Sequence, residues 1–411
     1  MTELKESRVS FSGNVSRQLS MSTIVQAITS YAPISRASLA KMTGLSKQTV
    51  SEIMAQLEED GLVQTVGQTE GHVGRRAVVY EINPRAALVA TVDLGGTKVR
   101  VAICNLVGEV VAETVAPTVK DGGVAVTTQI ADLIRDLAKT HAIDPQTIRT
   151  VVVGVPGVPQ PDGTIAFAPN VPGVDKIHFA DTLSDSVGVE VIVENDVNLA
   201  ALGEHWMTKR GDTDDLVYVS IGTGIGAGLV IGGNLVRGAS GAAGEVGYLP
   251  FGADPFDPES LRVGALERVS ATQALIAHYQ ELTGTTVSVP QIFDAALAGE
   301  EAAQACLQRA AKNIALAIGA IAAVLDPSCV VIGGSIGARK ELTALIEPAL
   351  RQCFPGSVPI ENTLLGNHAA LAGATSIALS RLHVALFTGG LKGAEIQVPP
   401  PALQTFQEVG L

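Results

Sequence analysis

LVATVDLGGTK, residues 88–98, is the stretch on which the reading of the fold turns. Residues 88–94 read as a strand that runs into Asp93-Leu94-Gly95-Gly96-Thr97-Lys98. Such a turn lets backbone N–H groups and a hydroxyl close around a phosphate, with the carboxylate beside a metal or water. Alone, the stretch fits a plain hairpin turn equally well. VRVAICN and GEVVAETV come next as two further strands, and residues 122–140 as a helix. Two later stretches repeat the design. LVYVSI (216–221) leads into Gly222-Thr223-Gly224-Ile225-Gly226 and another strand, and Val330-Val331-Ile332 leads into Gly333-Gly334-Ser335. Three glycine turns, each after a β-branched strand, predict two related α/β halves with a nucleotide cleft between them.

Upstream of residue 84 the pattern changes. Met21, Ile24, Val25 and Ile28 lie at i, i+3, i+4 and i+7, the apolar stripe of a first helix that Pro33 ends. Residues 35–42 form a short segment carrying Leu39 inward, and Thr43-Gly44-Leu45 is a tight turn. Ser46 suits the N-cap of a helix in which Val50, Ile53, Met54 and Leu57 repeat the stripe. Two short helices joined by a glycine turn are the helix-turn-helix signature. LVQTV (62–66) and AVVYEI (77–82) then read as strands flanking a wing with His72, Arg75 and Arg76 at its tip. The expected DNA contacts are Ser46, Lys47, Gln48, Thr49 and Ser51 for the major groove, together with Arg36. Arg75 and Arg76 suit a phosphate or the minor groove. A helical bundle used for protein contacts is the plainer reading, but order and spacing favour DNA.

The net charge of −13 looks wrong for a DNA binder until it is divided. Residues 1–83 hold 8 Lys+Arg and 8 Asp+Glu, so the acidity belongs entirely to the remainder. Between Arg36 and Ser51 the only charges are Arg36, Lys41 and Lys47, which leaves one basic face. The longest apolar run, residues 314–325, is too short to span a bilayer and reads as a buried Ala-rich helix. The opening residues lack the build of a signal peptide. Cys104, Cys306, Cys329 and Cys353 are widely spaced, as expected of reduced thiols in a cytoplasmic protein with no membrane partner.

With these motifs in order, the chain resembles the ROK family (repressors, open reading frames, kinases), within the actin-like sugar-kinase fold. The resemblance implies a winged helix-turn-helix over 1–83 and a first, smaller α/β subdomain over 84–195, completed by about 384–411. A second, larger subdomain would cover 196–383. Asp93, Gly95, Gly96, Thr97 and Lys98 would form one phosphate loop, Gly222, Thr223 and Gly224 the other, and Gly333-Gly334 the adenosine loop. Asn170, Asn195, Asp196, Glu245 and Glu267 match the positions that hold sugar hydroxyls. Asp196 matches the general base of the family's kinases.

Two departures carry information. Tyr248 stands where the family pattern has a zinc-binding His, and residues 249–267 hold no cysteine or histidine, so that zinc site is expected to be absent. Tyr248 could instead bond to or stack on the sugar. The expectation is a non-enzymatic regulator of carbohydrate genes, more a repressor than an activator. It would bind double-stranded operator DNA as a homodimer or higher oligomer, answer to a sugar or sugar phosphate, and need no cofactor. The alternative is an ATP- and magnesium-dependent sugar kinase carrying a DNA-binding domain, and a third reading is a constitutive DNA binder that only dimerises through its kinase fold.

Overall fold

The computed structural model describes residues 11–68, 77–168, 170–208, 215–389 and 396–406. The chain opens with α1 (Phe11–Tyr31), β1 (Ile34–Ser35), α2 (Arg36–Thr43), α3 (Lys47–Glu59), β2 (Val63–Gln68) and β3 (Val78–Ile82). Both short helices start on the caps that their sequences offer. The Ser35 hydroxyl accepts from the Ser38 N–H, and that of Ser46 from the Thr49 N–H. Gly44 closes α2 at φ 69°, a left-handed conformation that costs a residue with a Cβ. Ile24, Val25, Ile28, Leu39, Val50, Ile53, Met54 and Leu57 are all buried together. Helix α1 begins ten residues before its apolar stripe. The strand β1, which sequence reasoning missed, pairs with β3, giving a sheet ordered β1-β3-β2.

The first α/β half contributes β4 (Leu88–Leu94), β5 (Lys98–Asn105), β6 (Val110–Pro117), α4 (Gly123–Thr140) and β7 (Ile148–Val155). A small hairpin of β8 (Val158–Pro159) and β9 (Ile165–Ala166) comes next, then α5 (Phe179–Val187), β10 (Glu190–Asn195) and α6 (Asp196–Met207). The second half contributes β11 (Leu216–Ile221), β12 (Ile225–Ile231) and β13 (Asn234–Leu235). It continues through α7 (Pro258–Val263), α8 (Glu267–Ser270), α9 (Thr272–Thr283), α10 (Val289–Leu297) and α11 (Glu301–Leu325). It ends with β14 (Cys329–Gly333), α12 (Gly334–Gly337), α13 (Lys340–Cys353), β15 (Ile360–Asn362) and α14 (Ala369–Thr388).

The two large sheets have the same design. The first is ordered β10-β7-β4-β5-β6 and the second β13-β12-β11-β14-β15. In each, the opening strand lies at the centre, followed on one side by two successive antiparallel pairings and on the other by two successive parallel ones. The expected relation between the halves is therefore present as topology.

Helices α6 and α14 form the layer between the sheets. Helix α6 packs on β11 and β12, and α14 on β4 and β7. The helices approach backbone to backbone: a Cβ on Gly203 would lie 2.1 Å from the Ala369 carbonyl oxygen, and one on Gly373 1.9 Å from that of Leu199. One apolar core runs without interruption from α1 and α3 through α14 and α6 to the inner faces of both sheets. Helices α11 and α14 are long and apolar enough to cross a membrane by length and composition, but 56% and 61% of those windows is buried within the chain.

Candidate functional site

In parallel sheets ligands gather at the carboxyl ends of the strands. There the first sheet sets Asp93 of β4 beside Gly154 of β7, which in turn pairs with Glu194 of β10. Asn195 ends β10 and caps α6, accepting from the N–H groups of Val197 and Asn198 while its amide donates to the Gly157 carbonyl at 3.0 Å. Its oxygen is thus already engaged in shaping the loop, which leaves one amide hydrogen for a ligand. Asp196, the next residue, opens α6. Its carboxyl is pushed up to about 7, first by burial, then by the negative charges of Asp93 and Glu245. Asp93 is pushed up to about 6 by burial, against the pull of Arg100 and His368.

The second half brings its acids to the same place. Burial raises the carboxyls of Glu245 and Glu267, and Glu267 accepts the Ile225 N–H at 2.8 Å. Gly224 lies so close to Glu267 that a Cβ there would stand 2.7 Å from its Oε2. Tyr248, at the rim, donates to the Arg262 carbonyl at 3.4 Å; burial, Glu245 and Glu267 all raise its hydroxyl pKa. Asn170 is exposed and sits against the first glycine turn, where a Cβ on Gly96 would come within 2.9 Å of it. Thr97 and Lys98 are exposed on that turn, closed by the Gly95 N–H to the Lys98 carbonyl. Thr223 is exposed on the second turn, and Gly222 there lies against Ser335, just past Gly333 and Gly334. The second turn thus meets the third at Ser335, and a chain of charge interactions from Asp93 through Asp196 and Glu245 to Glu267 links the first turn's strand to the second turn.

Sequence reasoning missed the groups that hold this cleft. Arg237 of the second half donates to Glu194 of the first at 2.7 Å, and the other oxygen of Glu194 accepts from Asn195 and Asn198. Behind Asp93, Arg100 and His368 both donate to Glu113, at 2.7 and 3.1 Å. Burial raises the Glu113 pKa, but these bonds outweigh it and hold the carboxyl below its ordinary range. The Arg100 signal was available, since Arg100 faces Asp93 across the hairpin. His368 had none, being 255 positions from Glu113.

The loop where the resemblance places zinc is built otherwise. Asp257 caps α7 and pairs with Arg268, and Glu259 pairs with Arg262. Those carboxylates are already engaged, and neither Cys nor His stands among them, so the donors present do not fit tetrahedral zinc. No group of three or more His, Cys, Asp or Glu positioned for a metal occurs among the described residues.

In the winged helix, Lys47, Gln48 and Ser51 are exposed at the start of α3, and the hydroxyls of Ser46 and Thr49 bond to each other at 2.8 Å. Gln48 donates along the helix to Glu52. Arg75 and Arg76 lie outside the described residues. Arg36, expected among the DNA contacts, pairs with Glu58 of α3 and lies over the Tyr80 ring at 5.2 Å, with about a third of its side chain still exposed. An Arg36→Met protein should therefore lose about 0.5–1 kcal/mol of stability, because a partly exposed ion pair and a cation–π contact are removed together. Its operator affinity, measured well below the melting temperature, should stay within about threefold of wild type, a fraction of the 1–3 kcal/mol that a base contact carries.

A family model described as the ROK family matches residues 89–381. This chain belongs to the ROK family. A Crp-like helix-turn-helix domain matches residues 19–73. The xylose repressor of Caldicellulosiruptor bescii is 27% identical over 341 residues, which span 79% of this chain and 85% of that protein. The structure of the ROK hexokinase of Thermus thermophilus superposes with a TM-score of 0.61 at 28% identity, over 72% of this chain and 99% of that one. A ROK family transcriptional regulator, described as a homologue of the E. coli MLC protein, shares the fold over 91% of this chain and 97% of its own. That superposition has a TM-score of 0.70 at 23% identity. The chain is thus a ROK sugar-kinase fold joined to a helix-turn-helix domain, the build of a DNA-binding regulator or sugar kinase at family level.

Proposed function

We propose that this ROK protein is a sugar-responsive DNA-binding regulator, acting as a dimer on an inverted repeat. The observation that carries the reading is the unbroken core between the DNA-reading helices and α6, whose first residue is Asp196. A ligand that favours one cleft geometry then shifts the placement of α3. The similarity to a xylose repressor supports repression of carbohydrate genes.

The cleft acids narrow the choice of effector. Asp93 and Glu245 both raise the Asp196 carboxyl, and Glu245 raises Glu267. A field of mutually repelling carboxylates favours an uncharged ligand that donates hydroxyl hydrogens over a phosphate ester with two negative charges. The test is a duplex selected from random DNA, titrated with protein in the presence of neutral sugars and of their phosphates. A neutral sugar should change operator affinity at least tenfold. No change with any sugar would end the sensing reading. Lys47→Glu should weaken operator binding about 30-fold or more and lower the salt slope by about one unit. An unchanged slope would remove Lys47 from the interface.

The kinase reading is favoured by one observation, the Asp196 carboxyl held near 7, where a general base is useful. Asp93 and the glycine turns at 95–96, 222–224 and 333–334 would hold ATP, the phosphoryl donor, together with its magnesium. Sugar-dependent ATP consumption that vanishes in Asp196→Asn would establish it.

A further inference from the structure

Helix α6 has one end in the cleft and the other on a segment that sequence reasoning left unread. Its 12 residues run from Asp196 to Met207, about 18 Å of rigid rod. Near the far end, the Trp206 Nε1–H donates to the Val398 carbonyl at 2.8 Å. The preceding residue, Gln397, is held by the DNA-reading half. Its N–H donates to Gln26 Oε1 at 2.9 Å, and Gln26 Nε2 donates back to its carbonyl at 3.0 Å. Gln26 lies on α1, between the buried residues Val25 and Ala27.

We propose that residues 396–406 form a strap that transmits the state of the sugar cleft to the DNA-reading helices, gripped by Trp206 on one side and Gln26 on the other. The proposal rests on the proposed sensing function. Two consecutive residues of the strap are thus bonded to α1 and to α6, the elements whose relative placement must change. The next three residues are stiff: Pro399, Pro400 and Pro401 have fixed φ and no N–H, and a run of prolines resists bending. Both ends of the strap are anchored, by Ile396 at 2% exposure and Phe406 at 0%. A Cβ on Gly108 would touch Trp206, Pro401 and Leu379 within 3.3 Å, so indole, strap and α14 meet on the β5–β6 turn. A shift of α6 is therefore passed on by the strap rather than absorbed. Beside it, a groove of about 350 Å³ separates α1 from the same turn and from the prolines, so α1 and the strap can shift there without a clash.

Trp206→Phe removes the indole N–H and keeps an aromatic ring, and Gln26→Met removes both polar atoms at similar length. In the full-length protein, each variant should hold the sugar and, without sugar, the operator within about threefold of wild type. The ratio of operator affinities with and without sugar should fall at least about fivefold in each. The double variant should be no worse than the poorer single, because both break one link. A single variant that keeps the wild-type ratio, or losses that multiply in the double, would overturn the strap. Gln26→Met, a surface change, decides the matter if Trp206→Phe fails to fold. A wild-type protein that answers to no sugar ends the sensing reading and the strap's role together, whereas a responsive wild type with equally responsive variants ends the strap alone.

Discussion

Gly373→Ala is expected to lose at least about 3 kcal/mol of stability, and Gly373→Val to lose cooperative unfolding altogether. Alanine in a helix interior gains about 1 kcal/mol over glycine by intrinsic propensity. At position 373 that gain is overwhelmed, because the new Cβ would stand 1.9 Å from the Leu199 carbonyl oxygen and 2.6 Å from its carbon. Both are backbone atoms of α6, so no side chain can turn away, and relief requires the two central helices to separate. Gly319 of α11 is the control. Its Cβ would meet Phe354 at 3.4 Å, an ordinary contact, so Gly319→Ala should be neutral or gain up to about 1 kcal/mol. Urea melts of both variants check the contrast, and a Gly373→Ala protein as stable as wild type would mean that the central helices are not so closely packed.

Asp196→Asn should reduce sugar affinity about 100-fold and abolish its dependence on pH, since a bond to a charged group is replaced by a weaker neutral one. Folding raises the Asp196 carboxyl from 3.8 to about 7, so the native state binds the proton more tightly than the unfolded chain does. The associated stability is complete below the ordinary aspartate range and is lost as pH rises through about 7. In the absence of sugar the wild type should lose more stability between pH 4 and pH 8 than the asparagine variant, by on the order of 3 kcal/mol, while the loss due to Asp93 is common to both. Sugar binding should run the opposite way, because a hydroxyl donates best to the ionised carboxylate, so affinity rises across the same window. Calorimetric titrations at pH 5.5 and 8 check this. Equal pH dependence in the two proteins would move the titration to another residue, with Asp93, held near 6, the next to test.

Local chemistry was legible in the sequence wherever one segment carried its own signal. Ser46 caps α3 as its position implies, and the second glycine turn lies against the third at Ser335. Pairings that depend on distant partners were not. Arg36 reads as a DNA contact, and nothing local reveals Glu58, 22 residues away, as its partner. Asn195 reads as a sugar ligand, yet the same side chain is the best available cap for α6. Glu204, buried within α6, accepts from the N–H groups of Leu364 and Leu365 before α14, and no spacing rule points to it. The strap escaped for a related reason: a proline-rich segment has no periodicity to read, and its meaning lies wholly in what it touches.

The continuous core has a thermodynamic consequence. A reader tethered by a flexible linker would melt at its own temperature, indifferent to what the sensor holds. Here α1 and α3 bury their apolar residues in the same body as α6 and α14, so neither part can open without exposing the other's interior. The chain should unfold as one cooperative unit, and under the proposed function every kilocalorie gained by filling the cleft also defends α1 and α3.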